Sequence, residues 1–277
     1  MNPLDQIDSW PVANAAAAVV SPSGVLATTG DLRKVYQLAS VTKPLAALAT
    51  LIAVEEEAIS LDQPMTDPAL KSELPGATLR HLLAHASGLA PDLRRRAASP
   101  ATRRIYSNSG FDVIGEMVSA ATEMPFAQYL AEALFKPLRM QTAELDASPA
   151  KDGRGSVNDL TPVLTELVTP SGLLDPSTLQ AATTVQFQGL RGVLPGFGVQ
   201  ERNDWGLGFE IRANKTPHWT STRNSPATYG HFGRSGTMFW IDPHPKLGLV
   251  AFADRDFDEW AIKAWPALSD AVLDSFG

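Results

Sequence analysis

A serine and a lysine stand three residues apart at the start of an apolar stretch, in "YQLASVTKPLAALATLIAVEEE" (residues 36–57). Residues three apart on a helix lie on the same face, so the Ser40 hydroxyl and the Lys43 amine can come within hydrogen-bonding distance. The amide N–H of a helix-opening residue is free, and the helix dipole favours negative charge there. This arrangement suits a serine nucleophile, a lysine base and an oxyanion. The structural alternative makes Ser40 a helix cap and Lys43 a solvated residue of the first turn.

The S-x-x-K pattern alone is a weak signal, because roughly one match is expected by chance in a chain of this length. Ser148-Pro149-Ala150-Lys151 also matches, but it lies in a stretch rich in proline and aspartate where no helix would hold the pair. Ser40 instead follows the extended "VYQLA" and opens a helix that we expect to be buried. We therefore assign chemistry to Ser40 and none to Ser148.

Two further motifs each occur once in the chain. Tyr106-Ser107-Asn108 is its single Y-x-N and precedes a predicted helix, and His231-Phe232-Gly233 is its single H-x-G and stands at the entry to a predicted strand. The order and separations of the three motifs, together with "LLAHASGL" (82–89), "KPLRM" (136–140) and "WGLGFE" (205–210), closely resemble one family. The chain resembles the serine hydrolases of the penicillin-binding protein and class C β-lactamase-like superfamily. The resemblance covers about residues 10–275.

The resemblance implies a role for each motif residue. Ser40 would be the nucleophile, Lys43 its base with a pKa lowered by desolvation, and the Tyr106 phenol would share the proton shuttle. The oxyanion hole would be the backbone N–H groups of Ser40 and of Arg234, which follows the H-x-G motif. The implied catalytic residues are Ser40, Lys43 and Tyr106, and the implied substrate or oxyanion residues are Asn108, His231, Gly233 and Arg234.

The third motif departs from the pattern of the β-lactamases, which usually carry Lys-Thr-Gly there. A histidine is only partly charged near neutral pH, so His231 would hold a β-lactam carboxylate less firmly than lysine would. Esterase-like and amidase-like relatives tolerate histidine at this place. Lys246-Leu247-Gly248 also fits a third motif, but we interpret it as an ordinary hairpin. Arg139 stands where relatives commonly have glycine, and we expect it to affect a turn rather than the chemistry.

The remaining histidines and an arginine-rich stretch are weaker candidates. His85 and Ser87 are predicted to be structural, and His81, His218 and His244 show no ligand spacing, so we predict no metal and no cofactor. Five arginines precede Tyr106 in "DLRRRAASPATRRIYSN": Arg94, Arg95, Arg96, Arg103 and Arg104. We interpret them either as part of a solvated loop or as a group at the rim of the active-site cleft, where one or two of them would bind an acidic substrate.

The elements that must position these residues predict an α+β fold. "AAAAVV" and "VLATTG" form a hairpin around a Ser-Pro-Ser-Gly turn, and apolar residues at helical spacing predict a buried helix ending near Glu55–Glu57. Further helices are predicted at "TLRHLLAHASGL", "SGFDVIGEMVSAATEM", "PFAQYLAEALFKPL" and the C-terminal "DEWAIKAWPALSDAVLDSF", strands at 205–211, 236–242 and 247–253, and a loop over 146–176. We expect one antiparallel sheet built from both chain ends and flanked by helices. A mostly helical lobe (62–199) would be inserted between the two parts of an α/β lobe (1–61 and 200–277), within a single β-lactamase-like catalytic domain.

Composition sets outer limits on function. The 277 residues carry a net charge of −7, which argues against nucleic acid or an anionic membrane as partner. The chain contains no cysteine, which excludes thiolate chemistry, and neither a basic leader nor a long apolar run is present, so we expect a cytoplasmic protein. We predict a serine hydrolase that cleaves small esters or amides through an acyl-Ser40 intermediate, with esterase activity favoured. The alternatives are a β-lactamase or D-amino-acid peptidase, and a non-catalytic binding module; the oligomeric state stays open.

Overall fold

The computed structural model describes residues 2–65, 72 and 74–277. Its centre is a six-stranded antiparallel sheet in the order β2-β1-β11-β10-β9-β8. Two strands come from the N-terminal segment, β1 (Ala15–Ser21) and β2 (Gly24–Gly30). Four come from the C-terminal segment: β8 (Glu210–Ile211), β9 (Tyr229–Gly233), β10 (Thr237–Asp242) and β11 (Leu247–Ala253). The predicted sheet from both chain ends is therefore confirmed.

The central strands are buried on both faces, and their side chains alternate between two cores. Along β1, Ala16, Ala18 and Val20 belong to one apolar cluster, whereas Ala17 and Val19 belong to the other. This follows from the period of two residues in a strand, which sends successive side chains to opposite faces. Helix α5 (Val157–Val168) packs on β1 and β11 from the first face. Helix α7 (Glu259–Phe276), which continues through Pro266, covers the second face with the N-terminal 3₁₀ helix Pro3–Ser9.

The middle of the chain is mainly helical, as predicted. Its described helices are α1 (Thr42–Glu55), α2 (Leu79–Leu83), α3 (Asn108–Thr122), α4 (Phe126–Leu130, continued by the π turn Ala131–Phe135), α5 and α6 (Pro176–Thr183). Five short strands accompany them: β3 (Tyr36–Gln37), β4 (Glu144–Leu145) and β5 (Gly153–Gly155) form one sheet, and β6 (Gly192–Leu194) and β7 (Gly198–Gln200) form a hairpin. Residues 66–71 and 73 of the predicted helical lobe lie outside the described residues.

The predicted loop over 146–176 is wrong, since β5 and α5 lie within it. A reciprocal cap begins α5: the Ser156 hydroxyl accepts from the Asp159 N–H at 3.2 Å, and the Asp159 carboxylate accepts from the Ser156 N–H at 2.9 Å. Pro162 removes one backbone donor inside the helix. The apolar face that α5 buries on the sheet outweighs this loss, and the turn-forming residues of the segment obscure that face in the sequence.

The predicted strand over 205–211 is shorter than expected, because only Glu210–Ile211 joins the sheet. The preceding residues approach neighbouring helices instead. A Cβ on Gly206 would lie 1.9 Å from the Ala182 carbonyl oxygen, and one on Gly208, at φ +86°, would lie 2.1 Å from the Ala47 Cβ. The glycines therefore permit contacts with α6 and α1 that a regular strand would not make.

Two minor expectations agree with the backbone geometry. Arg139 has φ 55°, the left-handed conformation in which glycine is favoured, so the arginine occupies a turn. Lys246 lies in the turn between β10 and β11, which supports the hairpin interpretation of Lys246-Leu247-Gly248. None of the helices within the described residues combines the length and apolar character that a membrane span requires.

Candidate active site

Ser40 lies in a 3₁₀ turn, Ala39–Val41, that leads directly into α1. The preceding residue, Ala39, has φ 44°, a left-handed conformation that is uncommon for alanine and stores strain of about 1–3 kcal/mol. The turn is held from two sides: the Leu38 N–H donates to the Gly153 carbonyl at 2.8 Å, and the Thr42 hydroxyl donates to the Ala39 carbonyl at 2.6 Å. Because hydrogen bonds from two separate segments hold the turn, the Ser40 side chain is presented in one orientation.

The Lys43 amine is buried and lies next to the Ser40 hydroxyl. Its Nζ is 3.3 Å from the Ser40 Oγ, 2.7 Å from the Asn108 Oδ1 and 2.8 Å from the Ala150 carbonyl oxygen. Burial lowers the pKa of Lys43 to about 7, against the raising effect of Asp112 and Asp92. A neutral amine has two N–H groups and one lone pair. Because Asn108 and Ala150 offer only oxygen acceptors, they use both N–H groups and leave the lone pair for Ser40.

The Tyr106 phenol approaches the same hydroxyl from another direction. The neighbouring Ser40 hydroxyl counteracts part of the pKa increase that burial imposes on Tyr106. The Lys43 Nζ stands 4.5 Å from the centroid of the Tyr106 ring. The backbone on both sides of Tyr106 is fixed by His85, whose carbonyl accepts from the Ile105 N–H at 2.9 Å and whose Nδ1 accepts from the Ser107 N–H at 3.1 Å. The raised pKa keeps Tyr106 a neutral phenol at neutral pH.

Asn108 is the first residue of α3, and its side-chain amide connects Lys43 to Asp92. The Oδ1 accepts from the Lys43 Nζ, and the Nδ2 donates to the Asp92 Oδ1 at 2.7 Å. The Ser107 hydroxyl caps the helix by accepting from the Gly110 N–H at 3.0 Å. The two opposed partners determine which way the amide points, so the Asn108 oxygen faces the lysine.

His231 lies on β9 with its side chain buried. Its Nδ1 donates to the Phe232 carbonyl at 2.7 Å, so the unprotonated Nε2 faces the Tyr106 hydroxyl at 3.3 Å and accepts from it. Burial and the neighbouring Lys43 lower the pKa of His231 to about 3. The sequence suggested a histidine that is partly charged near neutrality. In the structure it is an uncharged hydrogen-bond acceptor.

The end of β9 approaches the Ser40 turn closely at Gly233. A Cβ on Gly233 would lie 2.3 Å from the Leu38 carbonyl oxygen, so glycine permits the approach. The Thr237 hydroxyl donates to the same carbonyl at 2.9 Å. Among the turn and loop backbone hydrogen bonds of the described residues, none uses the N–H of Ser40 or of Arg234.

A cavity of about 320 Å³ opens onto Ser40 and Tyr106. Its walls come from β8, β9, the β6–β7 hairpin, the Ser40 turn and several loops. They comprise Ser40, Tyr106, Leu194, Pro195, Gly196, Trp205, Glu210, His231, Phe232, Arg234 and Phe257. The Arg234 side chain is 88 % exposed, with its Nε 3.7 Å from the Asp256 carboxylate. It therefore borders the cavity from the solvent side.

The arginine stretch does not form a rim of this cavity, since none of its five members lines the walls. Arg104 is buried, and its guanidinium donates to four backbone carbonyls, those of Ala84, Gln186, Phe187 and Asn203. Burial lowers the pKa of Arg104 to about 10, which leaves it charged at neutral pH. The suggestion that Arg104 binds an acidic substrate is therefore wrong, because its donors are occupied inside the protein.

Several groups that touch the site have no signal in the sequence motifs. The Ala150 carbonyl belongs to the rejected Ser148-Pro149-Ala150-Lys151 match, where the Ser148 hydroxyl accepts from the Ala150 N–H at 3.1 Å and shapes the turn that presents this carbonyl to Lys43. A backbone carbonyl leaves no residue-type signature. Asp92, the partner of Asn108, is likewise one of many acidic residues in the sequence, and no motif distinguishes it from the others. Trp205 and Glu210 are the exception, because both belong to the "WGLGFE" signature.

The histidines outside the third motif have structural partners. His85 supports the Tyr106 backbone, and the Ser87 hydroxyl accepts from the Leu89 N–H at 3.3 Å, in agreement with their predicted structural roles. His218 contacts the buried Glu210 carboxylate through Nε2 at 3.0 Å. Within the part of the chain that the structure describes, no group of three or more histidines and carboxylates could hold a metal ion.

Comparison with known proteins identifies the family. The fold and the three motifs define the β-lactamase and penicillin-binding class, and the beta-lactamase family model matches residues 12–272, so the chain belongs to the beta-lactamase family. A crystal structure of a beta-lactamase from Mycobacterium bovis is 50% identical, with a TM-score of 0.95 over 99% of both chains. Esterase EstB of Burkholderia gladioli is 26% identical over 86% of this chain and 81% of its own length. Simvastatin synthase from Aspergillus terreus, 17% identical over 98% of this chain and 96% of its own, shares the fold with a TM-score of 0.82.

Proposed function

We propose that this protein is a serine hydrolase that cleaves small esters through an acyl intermediate on Ser40. The observation that carries the proposal is the buried Lys43 amine, whose two hydrogen-bond acceptors leave its lone pair facing the Ser40 hydroxyl. With a pKa of about 7, a large fraction of Lys43 is neutral near physiological pH and able to take a proton. The esterase relative supports the same substrate class.

In the acylation step, Lys43 takes the Ser40 proton while Oγ attacks the ester carbonyl carbon. The N–H groups of Ser40 and Arg234 stabilise the resulting oxyanion; one such donor is worth about 10²–10³ in rate. As the tetrahedral intermediate collapses, the bond to the alcohol oxygen breaks and Tyr106 gives this oxygen its phenol proton. The Lys43 ammonium returns a proton to Tyr106, so the alcohol leaves neutral and the acyl group stays on Ser40.

In the deacylation step, water replaces the departed alcohol. Lys43, acting directly or through Tyr106, takes one proton from the water as its oxygen attacks the acyl carbon. The bond to the Ser40 Oγ then breaks, Oγ recovers the proton, and the carboxylic acid is released. Asn108 keeps Lys43 oriented through both steps. His231 holds the Tyr106 hydroxyl in the resting enzyme by accepting its hydrogen bond, and the phenol proton turns from His231 to the alcohol oxygen as the alcohol leaves.

Turnover of p-nitrophenyl acetate tests the proposal. Ser40→Ala is expected to lower kcat/KM by at least about 10³-fold. The matched variant Ser9→Ala, at the exposed end of the N-terminal 3₁₀ helix and outside the cavity lining, should keep wild-type activity. An alkyl fluorophosphonate should label the intact protein once, on the peptide that contains Ser40 and not on the one that contains Ser148. Equal turnover by wild type and Ser40→Ala, or an adduct elsewhere, would overturn the proposal.

The relative from Mycobacterium bovis gives one reason to consider a second activity, β-lactam hydrolysis. A β-lactam carries a carboxylate, and His231, where β-lactamases usually have lysine, is uncharged and engaged with Tyr106. We therefore favour ester substrates. Nitrocefin measured beside p-nitrophenyl acetate decides between the two, since a higher kcat/KM for nitrocefin would identify a β-lactamase.

A further inference from the structure

Four apolar residues form a continuous part of the lining of the cavity that contains Ser40. We call Leu194, Pro195, Phe232 and Phe257 the acyl wall. The Phe232 and Phe257 rings pack with centroids 4.9 Å apart, and Phe257 also packs on Trp265 at 5.3 Å. Aromatic rings fixed by several neighbours in this way move little.

The tip of the β6–β7 hairpin closes this wall from above. Gly196 has φ +79°, and a Cβ on it would lie 2.6 Å from the Phe257 Cε1. The hairpin tip therefore rests directly on the Phe257 ring. This contact joins two lining residues of the cavity, a glycine that no other residue can replace without displacement and a ring that also packs on Trp265.

The wall is attached to the oxyanion end of the site. Phe232 stands two residues before Arg234 on β9, and the Phe257 N–H donates to the Arg234 carbonyl at 2.7 Å. An ester whose carbonyl oxygen lies between the Ser40 and Arg234 N–H groups thus has the acyl wall beside its carbonyl carbon. Its alcohol must point toward Tyr106, from which it receives a proton and leaves.

Of the described residues that line this space, the two basic ones, Arg234 and His231, do not place a positive charge inside it. Arg234 points to solvent beside Asp256, and His231 is neutral with Nε2 directed at Tyr106. Lys43 is already committed to the carbonyls of Asn108 and Ala150. A carboxylate on the acyl group would lose its hydration without gaining a partner.

Among the lining residues that the structure describes, the one carboxylate is Glu210, and its charge is balanced by its own neighbours. Glu210 accepts from Lys215, from the His218 Nε2 at 3.0 Å and from the Trp219 Nε1 at 3.0 Å. Burial alone would raise the pKa of Glu210, but His218 and Lys215 bring it well below its usual value. Because Lys215 balances its charge and its acceptors are occupied, Glu210 offers nothing to a cationic acyl group and no donor to an anionic one.

We propose that the acyl wall selects an uncharged, apolar acyl group of limited length, and that Phe257 with Gly196 sets this length. The inference rests on the proposed function, since it assigns the acyl part of the same substrate. At ~30 Å³ for each water-sized group, the cavity of about 320 Å³ has room for about ten such groups, including the ester itself. Each methylene buried against the wall raises kcat/KM about fourfold until the cavity is full.

A series of p-nitrophenyl esters from acetate to laurate tests the length limit, because about ten groups correspond to an octanoyl ester and only longer chains exceed the cavity. For wild type we expect kcat/KM to rise about 15-fold from acetate to butyrate, two methylenes at about fourfold each, and to fall again for the longest chains. Phe257→Ala and the milder Phe257→Leu should move the maximum to longer chains. Val193→Ala, on the exposed side of the same hairpin, serves as the matched control and should leave the profile in place.

A charge-matched pair tests the second half of the inference. The p-nitrophenyl esters of valerate and of hemisuccinate have acyl chains of similar length, one ending in a methyl group and the other in a carboxylate. We expect the hemisuccinate ester to be at least about 10²-fold poorer in kcat/KM. Values within threefold of each other would overturn the charge exclusion, and an unchanged chain-length maximum in both Phe257 variants would overturn the role of the wall.

Failure of the inference differs from failure of the proposed function. If no ester turns over above the Ser40→Ala blank, the proposed function is wrong and the acyl assignment falls with it. If esters turn over through Ser40 but without dependence on acyl length or charge, the hydrolase stands and the acyl assignment alone is wrong. Retained folding of the Phe257 variants is checked by their circular dichroism and by an unchanged fluorophosphonate labelling yield on Ser40.

Discussion

The protonation of Lys43 can be shifted in a controlled way, because Asn108 connects the lysine to Asp92. The Asn108 amide accepts from the Lys43 Nζ at 2.7 Å and donates to the Asp92 Oδ1 at 2.7 Å. Exchanging the two side chains, in the double variant Asp92→Asn/Asn108→Asp, preserves the net charge and the hydrogen-bond pattern. It moves the carboxylate from the far side of the amide to within hydrogen-bond distance of Nζ.

The size of the effect follows from the charges. A pair of unit charges 4 Å apart interacts by about 4 kcal/mol at an effective dielectric constant of 20, which corresponds to about 3 pKa units. The exchange also removes the Asp92 charge, which already raises the pKa of Lys43 in the wild type. We therefore expect a net increase of about two units. From a starting pKa of about 7, the neutral fraction at pH 7 falls from about half to about 1%, and kcat/KM falls about 50-fold.

The assay is the pH profile of kcat/KM for p-nitrophenyl acetate. Product is measured at the wavelength where p-nitrophenol and p-nitrophenolate absorb equally, so that the signal does not depend on pH. A base must be deprotonated to act, so the wild-type activity should rise with pH and reach half its plateau near pH 7. The double variant should show the same rise about two units higher. Asp92→Asn alone should move the rise below that of wild type, because it removes a charge that raises the pKa of Lys43.

The two histidines near Tyr106 cannot account for a transition near pH 7. Burial lowers the pKa of both His85 and His231, that of His231 to about 3. If the profiles of wild type and the double variant coincide, Lys43 is not the titrating base and the reasoning from its burial is refuted.

Three further substitutions probe separate parts of the site. His231→Leu removes the acceptor for the Tyr106 hydroxyl and should lower kcat/KM at least about tenfold, whereas His231→Gln, which retains an acceptor, should preserve most of it in the same steady-state assay. Gly233→Ala places a Cβ 2.3 Å from the Leu38 carbonyl oxygen; the displaced oxyanion donors should lower kcat by about 10²–10³, with thermal unfolding as the control. Arg104→Met leaves four buried carbonyls without their donor, so it should reduce the free energy of unfolding in urea by about 3–5 kcal/mol. The preference between neutral and anionic esters should stay unchanged. A changed preference would restore the hypothesis that Arg104 binds an acidic substrate.

Much of the fold could be predicted because its signals are local. Strand β11 coincides with the predicted 247–253, and α1 ends at Glu55 where the apolar repeat stops. The error over 146–176 arose because proline and aspartate usually mark loops, whereas here Asp159 belongs to a helix cap and Pro162 lies inside the helix. Helix α5 forms because its apolar face packs on the central sheet, and the residues of the segment alone give no information about that contact.

The arginine stretch shows the same limit for the site. Its five positive charges look alike in sequence, yet Arg104 lies inside the protein and donates to carbonyls that are 20 to 99 residues away along the chain. Charged residues are nearly always at the surface, so an exposed rim was the reasonable expectation. Only the packing of three separate segments around one guanidinium distinguishes Arg104 from its neighbours.

The amino-acid sequence by itself determined the family and most strands and helices of the central sheet and its covering layers. It also determined that Ser40 and Lys43 lie together, because residues three apart on a helix share a face wherever the helix lies. The tertiary structure decided what those groups can do. It removed water from Lys43 and His231, supplied the Ala150 carbonyl from 107 residues away, and closed the cavity with Phe257. Protonation state and cavity shape depend on desolvation and contact between distant segments, and no local pattern of residues specifies either.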